Sequence, residues 1–289
     1  MKLNTDMQVV KINDYLWEIP PSEKPGMLVP ARIYASAAIL GAMDRGVFDQ
    51  VTNVACLPGI HRYALCMPDG HWGYGFPIGG VAAFNPEDGV ISPGGVGYDI
   101  NCGMRLIRTD LSLSEVQPKL ELLMTELFRR VPAGVGSRGF VNLSRHDFRD
   151  VMRQGAGWCI GNGYGWEEDL ERIEERGCLE GADPTHVTDY AIERGINQLG
   201  TLGSGNHYLE IQVLSDKGIY DRATAAAMGL TGHDQVVVMV HCGSRGFGHQ
   251  VASDYLKVFE KAGTGSPSKI SNSPVRRFAH RKDRTISAR

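Results

Sequence analysis

Hydrophobic positions change their spacing several times along the chain, and each change marks an expected element. Residues 9–19 carry a strand-like pattern, residues 20–30 are a proline-broken connector, and residues 33–43 form a short apolar run expected to be helical. Residues 51–57 are expected to form a buried strand leading into Pro58-Gly59. From 64 to 103 the chain is dense in glycine and alternates short apolar runs (80–84, 89–91) with turns. That pattern predicts irregular β-structure, with glycines that let backbone come close to a ligand.

Residues 105–111 predict a strand, and 114–130 an amphipathic helix with Ser112 or Ser114 as N-cap. Residues 134–139 are a flexible glycine loop. Residues 167–175 are expected as a charged, exposed helix and 188–199 as another. Residues 208–214 and 235–240 are strongly β-prone, and 248–261 predicts a helix after a glycine turn. Helices and strands mix without a regular βαβ rhythm or an internal repeat, so the expected fold class is α+β.

Composition narrows this picture. The 289 residues are 42% hydrophobic and 22% charged, with 36 glycines, as suits a globular protein. No apolar run approaches the roughly 18 residues a membrane helix needs, and the start lacks a basic-then-apolar leader, so a cytoplasmic protein with no membrane association is expected. The six cysteines (Cys56, Cys66, Cys102, Cys159, Cys178, Cys242) lack the paired spacing of a disulfide scaffold or zinc ribbon. Reduced thiols follow, available as single metal ligands or as core residues.

The net charge of −3 hides an asymmetry. Residues 263–289 hold seven Lys or Arg against one acid, Asp283, and few large apolar residues, which predicts disorder. A solvated basic tail, an aberrant end to the reading frame and an RNA-binding arm all fit it. Residues 1–262, the expected folded body, carry 23 basic and 32 acidic residues, so nucleic-acid binding cannot be argued from charge.

Three glycine-flanked patterns carry candidate chemistry. In the block 94–103, Asp99 and Cys102 sit three apart in a turn before a strand, and a carboxylate with a thiolate suits a borderline divalent cation. In 203–210 a glycine turn delivers Asn206 and His207 to the mouth of a strand. In 236–250 an apolar strand runs into His241, and a glycine turn then carries Arg245 into a helix start, a plausible phosphate site. Each pattern alone also fits a structural role: a capping Asp with a buried Cys, a backbone-bonded His, a surface Arg. Together they place Asp99, Cys102, His207 and His241 at glycine-flanked strand ends, which is how a shared metal site would be built.

The segment Met67-Pro68-Asp69-Gly70-His71-Trp72-Gly73-Tyr74-Gly75-Phe76-Pro77-Ile78-Gly79-Gly80-Val81, the block ending Asp99-Ile100-Asn101-Cys102-Gly103, the Gly-Ser-Gly-Asn-His block at 203–207 and the block 241–250 resemble the RtcB family of RNA ligases, in the same order. The resemblance reaches about residue 262. It implies an RtcB-like mixed β-sheet core with peripheral helices. It also implies GTP- and Mn²⁺-dependent joining of RNA 3′-phosphate or 2′,3′-cyclic phosphate ends to 5′-hydroxyl ends, in tRNA splicing and RNA repair, with tRNA halves among the partners. In that family a histidine is guanylylated by GTP, and the guanylate then activates the RNA 3′-phosphate.

Carried over by position, Cys102 bridges two Mn²⁺ ions, with Asp99 and His207 on one and His241 on the other. Asn206, His207, Tyr208, Leu209 and Glu210 line the GTP site, and Arg245 contacts phosphate. His71 has no role assigned, with a structural role preferred; His249 supports its turn, Cys242 points to the opposite face of its strand, and His61, His146, His186, His233 and His280 are expected as surface or internally satisfied residues. The family's second half, with a further metal-binding histidine and the guanylylated histidine, has no counterpart in 263–289, so no catalytic nucleophile is identified and the fold is expected to be incomplete. The competing expectations are a non-catalytic metal- or RNA-binding fragment and an unrelated metal hydrolase, the latter lacking a clear general base.

Overall fold

The computed structural model describes residues 3–261 and 276–277. The expected disorder of 263–289 concerns residues almost wholly outside that description. The described residues divide into two compact units, one comprising those up to Gly97 together with 254–261 and 276–277, the other residues 98–253.

The first unit is built on a five-stranded sheet in sequence order: β1 (Val10–Lys11), β2 (Leu16–Ile19), β3 (Ala31–Tyr34), β4 (Ile60–His71) and β5 (Ile78–Phe84). Pairing is antiparallel except between β3 and β4, where the connection contains α1 (Ala37–Ala42) and α2 (Arg45–Val54). A crossover of this kind is what a parallel pair requires. Two short elements follow, β6 (Val90–Ile91) and α3 (Pro93–Val96). Trp17, Ile19, Ile33, Leu40, Val47, Phe48, Val51 and Cys66 form one continuous core. Burial pushes the Cys66 thiol up to about 12.

Two expectations fail here. Residues 51–57 are not a strand: Val47, Phe48, Val51 and Val54 are buried at helical spacing and belong to α2, whose apolar stripe begins before the run that suggested a strand. Residues 33–43 are not one helix. Ala31 and Ile33 alternate inward in β3, and the Ser36 hydroxyl accepts the Ile39 N–H to start α1 afresh.

The second unit holds a three-stranded antiparallel sheet in the order β7 (Gly103–Ser112), β9 (Gln235–Cys242), β8 (Tyr208–Leu214). Around it lie α4 (Leu113–Val116), α5 (Leu120–Arg130), α6 (Arg145–Gln154), α7 (Ala156–Gly161), α8 (Asp189–Gly195), α9 (Arg222–Ala227) and the start of α10 (Arg245–Lys261). Ser112 caps α4 as expected, with Glu115 completing a capping box. The helix expected over 114–130 breaks into α4, a 3₁₀ turn and α5, because Pro118 has no N–H to continue the ladder. Residues 167–175 form short 3₁₀ turns instead of a helix, since a helix would stack Glu167, Glu171 and Glu175 four apart on one face. The capped helix α6 went unanticipated despite the Ser144–Asp147 capping box that begins it.

The two units are packed differently. In the second, α5 buries no residue and Phe128 is 92% exposed. On β7, neighbouring Leu106 and Ile107 are both exposed although strand alternation points them to opposite faces. Phe48→Ala in the first unit's core is expected to cost about 3–5 kcal/mol; urea denaturation followed by tryptophan fluorescence checks it.

Candidate metal centre

The three segments singled out in sequence meet at one end of the second unit's sheet. Met104 on β7 and Tyr208 on β8 both lie opposite His241 on β9. His241 is 5% exposed, and the Tyr208 ring meets its imidazole edge-on at 5.4 Å. Before β7, the chain turns so that the Cys102 N–H reaches the Asp99 carbonyl at 2.9 Å, with Asn101 in the left-handed region at φ +61°. Asn tolerates that conformation, and it aims Asp99 and Cys102 at the same place. Before β8, Gly203 and Gly205 both take positive φ and swing His207 inward.

The donor atoms converge. Cys102 Sγ lies 3.0 Å from His241 Nε2 and 3.3 Å from His207 Nε2, and His207 Nε2 lies 2.9 Å from Asp99 Oδ2. Asp99, Cys102 and His207 each offer a ligand atom within 4.8 Å of the others. His241 stands outside that group and joins it through the sulfur, so the thiol sits between two donor sets.

The chemistry of the set fits a cation. His207 Nδ1 lies 3.0 Å from the Leu202 carbonyl, which can only accept, so Nδ1 carries the hydrogen and Nε2 offers a lone pair toward Asp99 and Cys102. Nε2, a carboxylate oxygen and a sulfur thus face one another, as the ligands of a single cation would. A carboxylate, two imidazoles and a thiolate suit Mn²⁺- or Zn²⁺-like ions.

The surroundings leave little slack. The Ser244 hydroxyl sits 3.0 Å from Asp99 Oδ1 and closer still to the Ile100 carbonyl. A Cβ at Gly243 would lie 2.5 Å from Asp99 Oδ2. At Gly203 it would lie 2.2 Å from His207 Nδ1 and 2.5 Å from Arg245 Nη1, so the guanidinium packs directly beside the histidine. Arg245 itself holds φ +58°, an unfavourable conformation for a side chain of this size. Its Nη2 donates to the Gly134 carbonyl at 3.4 Å, while its Nε is buried without a partner. A buried donor left unsatisfied costs about 1–3 kcal/mol, which an anion would relieve.

The other expected residues are distributed as follows. Tyr208 and Glu210 share the His241 face of the sheet, Leu209 alternates to the other, and Asn206 is exposed in the turn. Cys242 points away from the cluster, toward the Thr201 and Leu202 carbonyls, and burial raises its pKa. His249 packs on Tyr98 at 5.3 Å, beside the Asp99 turn. His71 belongs to the other unit, with Nδ1 at 2.5 Å from the Asp69 carbonyl. His280 lies outside the described residues. Ser244, Gly243 and the Leu202 carbonyl complete the site without a sequence pattern of their own, save that the Cys242-Gly243-Ser244 step adjoins His241.

Comparison with known proteins agrees with this arrangement of motifs. Residues 50–283 match the family model described as tRNA-splicing ligase RtcB. The chain belongs to the RtcB family. Relatives named tRNA-splicing ligase RtcB include one from Pyrobaculum aerophilum, 55% identical over 257 residues, which is 89% of this chain and 53% of that protein. Another, from Thermococcus kodakarensis, is 56% identical over 253 residues, 87% of this chain and 52% of that one. A third, from Methanococcus maripaludis, is 49% identical over 254 residues. This RtcB family member therefore spans about half the length of the curated relatives it matches. Its α+β architecture is that of an RtcB domain, and no helix among the described residues is long and apolar enough to cross a membrane.

Two outcomes follow from the geometry. Gly243→Ala displaces the Asp99 carboxylate and is expected to weaken Mn²⁺ binding about 10-fold or more, read by titration calorimetry. With iodoacetamide at about pH 8, Cys102 is expected to be alkylated well before Cys66 and Cys242, and Mn²⁺ to protect it; peptide mass spectrometry follows each thiol.

Proposed function

We propose that residues 1–262 are the N-terminal, metal-binding portion of a cytoplasmic RNA ligase. It would join 3′-phosphate or 2′,3′-cyclic phosphate ends to 5′-hydroxyl ends, tRNA halves among them, with GTP and Mn²⁺. The observation that carries this reading is the convergence of Asp99, Cys102, His207 and His241 around one sulfur, in a chain whose relatives are named tRNA-splicing ligases.

Cys102 would bridge two Mn²⁺ ions, one completed by Asp99 and His207 and the other by His241. When bound, two such ions neutralise phosphate charge and align attacking and leaving oxygens. The chain's own groups do the rest. Leu202 fixes the His207 tautomer, and Tyr208 holds the His241 ring edge-on. Arg245, strained and with a buried unpaired Nε, is assigned to a phosphate of GTP or RNA. The GTP site is assigned to Asn206, His207, Tyr208, Leu209 and Glu210. None of the nine histidines is assigned as the guanylylated nucleophile.

A second reading has an observation of its own. The chain matches about half of each relative, and Leu106, Ile107, Leu122 and Phe128 lie exposed in the second unit. Such a fragment would bind metal and RNA without ligating.

One experiment separates the readings. The chain is incubated with Mn²⁺ and radiolabelled GTP and run on a denaturing gel, with Mn²⁺ binding measured in parallel for Cys102→Ala and His207→Ala. The expected outcome is Mn²⁺ binding lost in both variants, proton release on binding, and no covalent label. Ligation of RNA halves is expected only when the C-terminal half of a relative is added. Mn²⁺ binding indifferent to Cys102 would sink the metal assignment, and a labelled band would show that the chain holds its own nucleophile.

A further inference from the structure

Six residues, 72–77, connect β4 to β5, and this segment contains three aromatics that the metal centre does not use. Phe76 turns inward against the first unit's core. Trp72 and Tyr74 do the opposite and stand 69% and 73% exposed. An ordinary surface turn would not spend two large rings this way, because exposing an indole forgoes the burial that makes aromatics stabilising.

The exposed pair is held in place by buried machinery. Gln50, on α2 and only 5% exposed, receives the Gly73 N–H on Oε1 at 2.9 Å and donates Nε2 to the Gly73 carbonyl at 2.6 Å. Both ends of one side-chain amide thus clamp the residue between the two rings. Beneath them, Gly46 offers bare backbone to the indole: a Cβ there would stand 2.5 Å from Trp72 Cδ2 and Cε3. One face of Trp72 is seated on α2 and the ring remains largely open to solvent.

We infer that Trp72 and Tyr74 form a stacking platform for unpaired RNA bases. The inference rests on the RNA-ligase reading above and adds to it RNA-contacting residues beyond the four metal-ligand candidates. Two rigid rings on a clamped turn match what single-stranded nucleic acid needs, since every base has a face to stack, worth about 1–3 kcal/mol each. The exposed surroundings mix polar Asp44, Arg45 and His71 with apolar Ile78, which lies across from His71, and so fall short of the continuous apolar patch that a protein partner would call for. Arg45 adjoins Gly46 and is taken up by exposed bridges to Asp6 at 3.2 Å and Asp49 at 3.8 Å, so the affinity assigned to this surface comes from the ring faces and not from charge.

The test uses the whole chain, a fluorescein-labelled oligouridine of about 12 nucleotides and a duplex of the same length, read by anisotropy. Trp72→Ala and Tyr74→Ala are each expected to weaken single-strand binding about fivefold or more. Trp72→Phe should keep most of the affinity but lose the quenching of tryptophan fluorescence that the oligomer causes. Mn²⁺ binding should be unchanged in all three. If wild type binds the oligomer and both alanine variants bind it equally well, the platform is wrong while the ligase reading stands. If wild type binds no RNA, both are wrong. Equal binding of duplex with the same dependence on Trp72, or a loss in Trp72→Phe as large as in Trp72→Ala, would also overturn the inference. So would loss, in Trp72→Ala, of association with an added C-terminal half of a relative while RNA affinity holds; the surface would then serve a protein.

Discussion

The candidate centre depends on one sulfur being approached from three directions. Cys102 Sγ stands within 3.3 Å of two imidazole nitrogens, and a third donor, Asp99, reaches the same group through His207. A local turn joins only Asp99 to Cys102; His207 and His241 come from far along the chain, Cys102 and His241 being 139 residues apart. The antiparallel register brings them in, by setting Met104, His241 and Tyr208 side by side across the sheet. A one-residue slip of β9 would turn His241 to the other face and bring Cys242 in its place. The glycines at 203 and 243 are consequences of the same crowding, because any Cβ there would strike His207, Arg245 or Asp99.

A carboxylate oxygen, two imidazole nitrogens and a sulfur gathered this closely form a donor set that calls for positive charge. Arg245 answers part of it from the side, in a backbone conformation that its side chain disfavours. Strain of that kind persists where surrounding packing over-determines it. Here Gly203 on one side and the Gly134 carbonyl on the other do so.

The two units solve different problems. The first closes a core around Phe48, Ile33 and Leu40 and uses buried Gln50 to hold a turn at its surface. The second builds a precise polar cluster on a sheet whose edge strand shows apolar side chains on both faces. Precision at the cluster therefore owes little to a deep core around it and much to ladder register and turn geometry.

The metal-ligand candidates were legible in the sequence because each is announced locally. A glycine turn flanking a β-prone run, with a donor where the two meet, is a local signal, and β7, β8 and β9 fell where those runs lie. The helix α2 was misread because its stripe of Val47, Phe48, Val51 and Val54 shares residues with a short apolar run that looks strand-like in isolation. Periodicity alone cannot separate the two when the run is short. The family, too, was written in contiguous motifs. Only the tertiary structure decided that His207 presents Nε2, that Ser244 and Gly243 back Asp99, and that Trp72 faces solvent while Phe76 faces the core. Except for the Leu202 carbonyl, five residues before His207, those facts depend on atoms tens of residues away, and contact at that range is set by packing and register, which no local spacing encodes.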